Sequence, residues 1–249
     1  MTERARLKET LERLYREEIA GQPGSGYLRE HAAPNFIDAQ VRTFEWYRPW
    51  VPARGAVLDW GANHGPDSCL IRATSGDAVD LHACDFPEPG RYPVFHAFSN
   101  AEYRRLEDVV AMPYDANAFD AVIASGVLEH TAMDDESLKE LHRIMKPGAP
   151  LVISYLPNWL SVQEWKLRVI DKRDFHKRRY SIAGTIALLK RRGFEPKVWG
   201  YHSFFWERRL ERLGFSAPAS ERLARWLRKL PIDVIKPTLW FIAVKVNGF

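Results

Sequence analysis

The chain has 249 residues, 46% hydrophobic and 27% charged, enough for one globular domain with a large core. A net charge of +4 and a pI of about 9.0 exclude a histone-like polycation but leave an anionic substrate or surface open. No apolar run approaches the roughly 20 residues that span a bilayer, and the first six residues lack a signal-peptide core, so a reducing cytoplasm is the expected compartment.

Residues 4–20 predict an amphipathic helix with Leu7, Leu11, Leu14 and Ile19 on one stripe. The turn-rich piece 21–26 separates it from an aromatic-rich helix around 36–50, and the two are expected to form a cap over a ligand cleft. The most informative stretch follows, Val57-Leu58-Asp59-Trp60-Gly61-Ala62-Asn63-His64-Gly65. An apolar run ends in a carboxylate, and a loop with glycines four apart leads to Pro66 at the first position of a helix. Glycine lets a backbone approach a ligand closely, and the free amides of a helix start favour an anionic group. Asp59 is placed to bind something cationic. The dinucleotide fingerprint is not met, because Asn63 and Pro66 stand at its second and third glycine positions, and the P-loop ending is absent. A nicotinamide or flavin dehydrogenase is therefore disfavoured. Cys69 and Cys84, the two cysteines of the chain, sit among apolar neighbours and read as buried free thiols.

From Ala56 onward, strands and helices alternate. Ala78–Cys84 predicts a strand ending at Asp85, and Tyr103–Leu106 one ending near Asp108. Phe119–Ser125 and Leu151–Tyr155 are apolar strand runs. Between them a helix over Asp134–Met145 turns Leu138, Leu141, Ile144 and Met145 inward and stops at Pro147-Gly148. Ser181 caps a helix to Arg192 that is expected to bury Ile182, Ile186 and Leu189, with Gly193-Phe194 as its stop, and Leu239–Val246 is a final strand. Such alternation predicts an α/β fold, a doubly wound, mostly parallel sheet binding its ligand at the carboxyl ends of the strands. Asp59, Asp85 and Asp108 fall at three successive strand ends and would line one crevice. Asp85, 24 residues after Gly61, lies at the offset where a carboxylate accepts both hydroxyls of a ribose. Asp108 could accept from an adenine amino group.

Here the chain resembles a known family. Asp59 to Gly65 looks like the first motif of class I S-adenosylmethionine (SAM) methyltransferases. Asp108-Val109-Val110-Ala111-Met112-Pro113-Tyr114, Phe119-Asp120-Ala121-Val122-Ile123, Ser125-Gly126-Val127-Leu128-Glu129-His130 and Leu141-His142-Arg143-Ile144-Met145-Lys146-Pro147-Gly148 resemble landmarks of the type 11 group, which includes ubiquinone and menaquinone methyltransferases. The match covers 56–156, and the resemblance implies that this is the SAM-binding core of a single Rossmann-like domain over 1–249 with a seven-stranded sheet, between a helical cap (1–50) and acceptor-side elements (157–249). The resemblance implies that Asp59 and Gly61 hold the methionine end of SAM, beside a loop shaped by Asn63 and Gly65. It implies that Asp85 binds the ribose, Phe86 packs on the adenine, Asp108 bonds the adenine amino group and the Val109 backbone approaches the ring. Ser125 and Gly126 would lie near the sulfonium. Asn63 stands where the family usually has glycine, and asparagine tolerates the left-handed backbone such a loop needs.

SAM carries an activated methyl group, so the protein supplies proximity and alignment, and a hydroxyl acceptor also needs a base. His130 and His176 are the candidates, each weighed against a structural role, while Tyr180 either orients the acceptor or packs. Asp134 and Asp135 read as a helix N-cap and not as a magnesium site. Residues 166–180 hold seven Lys/Arg against Asp171 and Asp174, a solvated face or a seat for an anionic acceptor. In the insertion 203–237, Leu223, Trp226, Leu227 and Leu230 oppose Arg222, Arg225, Arg228 and Lys229. That stripe could pack on the core, form a homodimer, or touch the inner face of an anionic membrane through 219–230. The expected activity is O-methylation of a small biosynthetic intermediate, such as a sugar or lipid-linked envelope precursor. A quinone-type ring, a tRNA, or SAM binding without transfer, as in a regulator, are the alternatives; nucleic acid is disfavoured.

Overall fold

The computed structural model describes residues 1–88, 90–161, 169, 178–202, 214, 216, 218–220, 222–223 and 238–246. Most of the run 166–180, His176 with it, and most of the insertion 203–237 lie outside the described residues.

The described strands are β1 (Gly55–Trp60), β2 (Val79–Asp85), β3 (Glu102–Arg105), β4 (Ala121–Ser125), β5 (Pro150–Pro157), β6 (Phe194–His202) and β7 (Thr238–Lys245). They form one sheet in the order β3-β2-β1-β4-β5-β7-β6. All neighbours are parallel except β7, which runs antiparallel to β5 and β6. The doubly wound, mostly parallel architecture expected from the alternation is thus the one observed. β6 is an addition, because it falls where the sequence suggested only a helix stop.

A parallel strand covered on both faces must be apolar on both, and side chains alternate between the two. Along β1, Val57 points to one core with α1 (Glu3–Gly21), α3 (Pro34–Tyr47), α4 (Pro66–Ser75) and α5 (Pro93–Ser99). Leu58 and Trp60 point to the other, with α6 (Asp134–Ile144) and α7 (Ile182–Arg191). Ala121 and Ile123 alternate likewise with Val122 and Ala124 along β4.

The N-terminal helices belong to the first of these layers. Leu7, Leu11 and Leu14 of α1 are buried with Ile37, Val41 and Phe44 of α3. Glu18 of α1, itself buried, accepts from the Val94 and Phe95 amides at 2.9 and 3.3 Å. It therefore caps α5, whose own cap residue Tyr92 makes no side-chain bond. A short helix, α2 (Gly26–His31), follows the turn-rich piece and is capped by Ser25. In α7 the Ser181 cap forms as expected, but Thr185, Leu188 and Leu189 are its buried residues, with Ile182 and Ile186 only partly covered. Leu138, Leu141, Ile144 and Met145 at α6 are fully buried. Asp134 and Asp135 do not cap α6. Met133 takes the cap position, Asp134 pairs with Arg178, and Asp135 pairs with Arg191 and Arg192.

Candidate active site

The carboxyl ends of β1, β2, β4 and β5 open into a cavity of about 550 Å³, which α2 and the first half of α3 close from the other side. Gly61 starts its floor at φ +70°, and a Cβ placed there would lie 2.4 Å from Val127 Cγ2. Only glycine meets both demands. Asn63 is left-handed at φ 50° and Gly65 at φ 76°. The Asn63 amide donates to Asp85 Oδ2 at 2.8 Å, and its carbonyl accepts from His96.

Asp59 is buried at the tip of β1, where its Oδ2 accepts from the Ser68 amide at 3.1 Å and the Ser68 hydroxyl at 2.7 Å. The start of α4, which the sequence offered to an anionic ligand, is thus met by the protein's own carboxylate. Asp67, in the first turn of α4, also faces the cavity and accepts from the Tyr47 hydroxyl. Burial, then the nearby Asp67 charge, raises the Asp59 carboxyl to about 8, and burial raises Asp67 as well. Two carboxylates with no ion-pair partner among the described residues fit a cationic ligand group.

Asp85 accepts at each oxygen from one amide, Phe86 at 2.7 Å and Asn63 at 2.8 Å, and desolvation raises its pKa. Each oxygen keeps a lone pair for a hydroxyl on the cavity side. Phe86 is 49% exposed beside it, with Val109 and Leu106 on the same wall. An apolar slot next to a polar carboxylate fits adenosine. Asp108 does not join them. Its carboxylate is exposed and accepts from the Val110 and Ala111 amides at 2.7 and 2.8 Å, and it is absent from the described lining. The loop after β3 turns the carboxylate outward and gives its place to Val109.

Ser125 and Gly126 line the cavity at the tip of β4, with Gly126 at φ 66°. His130 reaches the rim, its side chain 58% exposed and Nε2 3.9 Å from Glu129 Oε1. Tyr180 packs away from the cavity and donates to the Leu128 carbonyl and Asp134. The sequence reading passed over several lining residues: Tyr27, His31, Gln40, His64, Asp67, Glu129 and Tyr155. His64 and Glu129 lay inside the quoted motifs, and Asp67 followed the helix-starting proline. Tyr27, His31 and Tyr155 carried no local signal.

His64 is the junction of the loop and the helices. Buried, it meets the Tyr15 hydroxyl at Nε2 (2.8 Å) and the Tyr27 hydroxyl at Nδ1 (3.3 Å). Tyr27 in turn accepts from Asn63 Nδ2 at 3.1 Å. Burial pushes the imidazole well below its ordinary pKa, so it stays neutral, as a ring between two hydroxyls should.

Comparison with known proteins agrees with this geometry. Residues 58–153 match a family model described as a methyltransferase domain. An arsenite methyltransferase of Aquipseudomonas alcaligenes is 27% identical over 109 residues, 39% of this chain and 32% of that protein, so the match spans about a third of the relative's length. A Galdieria sulphuraria protein described as a sarcosine dimethylglycine methyltransferase superposes with a TM-score of 0.61 at 14% identity, covering 89% of this chain and 88% of that one. The Haemonchus contortus phosphoethanolamine N-methyltransferase 2, solved with SAM, superposes at 0.59 and 18% identity, covering 83% and 52%. The two structures establish the shared fold. With the motif at 59–65 and the cavity at the strand tips, the matched segment marks residues 58–153 as a SAM-dependent methyltransferase domain.

Proposed function

We propose that this protein transfers the methyl group of SAM to an oxygen of a small biosynthetic intermediate, a sugar or a lipid-linked envelope precursor. When bound, SAM supplies an electrophilic methyl on a sulfonium. The chain's own work is to hold the adenosyl end with Asp85 and Phe86 and the charged end with Asp59, and to align the acceptor.

The observation that carries the acceptor class is the composition of the remaining wall. Asn35, Gln40, Thr131 and Thr238 are uncharged hydrogen-bonding side chains, and no lysine or arginine belongs to the described lining. Such a wall suits hydroxyls and gives a phosphate or carboxylate no counter-charge. Basic residues of the 166–180 run do not alter this among the described residues, since Arg178 is held by Asp134. His130 at the rim is the described base for a hydroxyl proton. The likeness to an arsenite methyltransferase does not favour arsenite as the acceptor here. The two cysteines of this chain are fully buried, and burial raises both thiols, whereas binding a soft ion takes exposed thiolates.

The test is incubation with methyl-labelled SAM and cell extract, fractionated into small molecules, lipids and nucleic acid. Label in an ether of a sugar or lipid-linked sugar supports the proposal. Label in tRNA, or SAM bound without turnover, overturns it.

A further inference from the structure

Among the described residues, four that are not glycine have a left-handed φ: Asn63, Asn100, Asn117 and Tyr155, the last at 65°. Asparagine tolerates that region, whereas a tyrosine is strained there. The strain sits in a bulge of β5. Ile153 pairs with Phe241 and Leu156 with Leu239, so Ser154 and Tyr155 together stand opposite Trp240 alone. In a regular strand Tyr155 would follow Leu151 and Ile153 into the layer of α6 and α7. The bulge gives that place to Leu156 and turns Tyr155 to the other face, where its hydroxyl donates to Thr43 Oγ1 of α3 at 3.1 Å. Thr43 in turn donates to the Ala39 carbonyl at 3.0 Å. Behind the ring lies His202, parallel to it within 20° at 6.0 Å, with Trp240 next. Backbone, hydroxyl and packing thus fix one ring against the cavity, which Tyr155 lines.

The sheet order says what that ring faces. Asp85 and Phe86 stand at the tip of β2 and Asp59 at the tip of β1, and the cavity continues past Ser125 and Gly126 of β4 to Tyr155 of β5 and Thr238 of β7. With the adenosyl end over β2 and β1, the β5 and β7 end is left for the acceptor. Tyr155 is also tied to the tip of β4. The Gly126 amide donates to the Ser154 carbonyl at 3.0 Å, the Ser154 hydroxyl donates to Ser125 at 2.9 Å, and a Cβ on Gly126 would lie 4.0 Å from Tyr155 Cβ. We propose that Tyr155 is the specificity-determining residue for the acceptor: its ring is the wall on which the C–H face of a sugar ring packs, and the left-handed bulge is kept because it aims the ring there. This rests on the reading of the cavity as the site of methyl transfer. A strained residue persists where its surroundings over-determine it, and glycine or asparagine would satisfy the backbone but supply no ring.

Three variants, Tyr155→Phe, Tyr155→Ala and Tyr155→Gly, decide the matter. Transfer is followed with methyl-labelled SAM over a dilution series of cell extract, cofactor affinity by calorimetry with S-adenosylhomocysteine, and folding by thermal unfolding. Tyr155→Gly should melt about 2–4 °C above Tyr155→Ala, because glycine relieves the left-handed strain and leaves a folded protein without the ring. Both should transfer label about tenfold more slowly than wild type in dilute extract, a deficit that narrows as the extract is concentrated. Their affinity for S-adenosylhomocysteine should stay within about twofold of wild type, and Tyr155→Phe, which keeps the ring, should transfer within about threefold. Wild-type transfer by Tyr155→Gly, or a loss of cofactor affinity as large as the loss of transfer, overturns the inference and leaves the functional reading standing. Wild-type protein that binds SAM and labels nothing sinks the functional reading, and this inference with it.

Discussion

Replacing Gly61 by alanine tests the loop on which the cavity rests. Two separable costs apply. An L-residue held at φ +70° pays about 1–2 kcal/mol for the left-handed conformation. The added methyl would lie 2.4 Å from Val127 Cγ2 and 2.7 Å from its Cβ, an overpacking cost of about 1–3 kcal/mol. The sum, about 2–5 kcal/mol, corresponds in a chain of this length to a fall in Tm of roughly 4–20 °C. Thermal unfolding of Gly61→Ala, Val127→Ala and the double variant separates the two parts. Val127→Ala removes the 2.4 Å contact but keeps the Cβ at 2.7 Å, so within the cycle it should recover part of the packing cost, and the backbone cost of about 1–2 kcal/mol stays in full. Gly65→Ala is the control: φ is +76°, but the nearest atom, Ser68 Cβ, is 3.7 Å away, so the backbone part stands alone. A Gly61→Ala melting curve that superimposes on the wild type, or a double variant no better than Gly61→Ala, would refute the argument.

Two further tests concern the frame. Glu18→Ala leaves two amides at the start of α5 without their acceptor, at about 1–3 kcal/mol for the buried Phe95 amide and less for the half-buried Val94 one, whereas Glu18→Gln keeps one acceptor oxygen and should lose less. Urea unfolding of the two variants should show that order. The pH dependence of stability has two opposed limbs. His64 is neutral when folded, so below the ordinary 6.5 the unfolded chain binds a proton that the native one refuses, and stability falls on acidification. Asp59 keeps its proton up to about 8 when folded but loses it near 3.8 when unfolded, so its contribution falls as pH rises between those values. His64→Gln should flatten the acid limb and Asp59→Asn the other. A ligand-free stability profile unchanged by either variant would contradict the burial argument.

The parts of the fold that were legible in the sequence are those with strong periodicity and one buried face. The α1 stripe, the inner face of α6 and the continuous apolar runs of β1, β4 and β5 all formed near their expected limits. β6 escaped because it is an edge strand with Glu195, Lys197, Val198 and Trp199 exposed. It contains Pro196 at a register shift and Gly200, both of which read as loop signals. Gly200 has a different reason to be there: a Cβ on it would meet the Trp240 ring at 2.6 Å. In the site, residues fixed by local motif geometry were readable, as with Asp59, Gly61 and Asp85. Asp108 was misplaced because its offset along the chain does not say which way a loop turns. Tyr27 and His31 reach the cavity only through packing of α2 against distant residues, and no spacing encodes that.

Asn63 shows how a departure from the family pattern is absorbed. The loop needs a left-handed residue between Gly61 and Gly65, and asparagine adopts that conformation at lower cost than other side chains. Glycine there could not reach beyond the loop. The Asn63 amide group donates to Tyr27, whose hydroxyl also meets His64, which meets Tyr15 on α1. The backbone of the same residue donates to Asp85 and accepts from His96. One position therefore links Asp85, the glycine loop and the N-terminal helices in a single hydrogen-bonded chain. The helices thus touch the glycine loop at two of its side chains, Tyr27 at Asn63 and Tyr15 at His64. In this protein the N-terminal helices reach the cavity by their own packing, and the Asn63 side chain adds a bond to Tyr27 that glycine could not make.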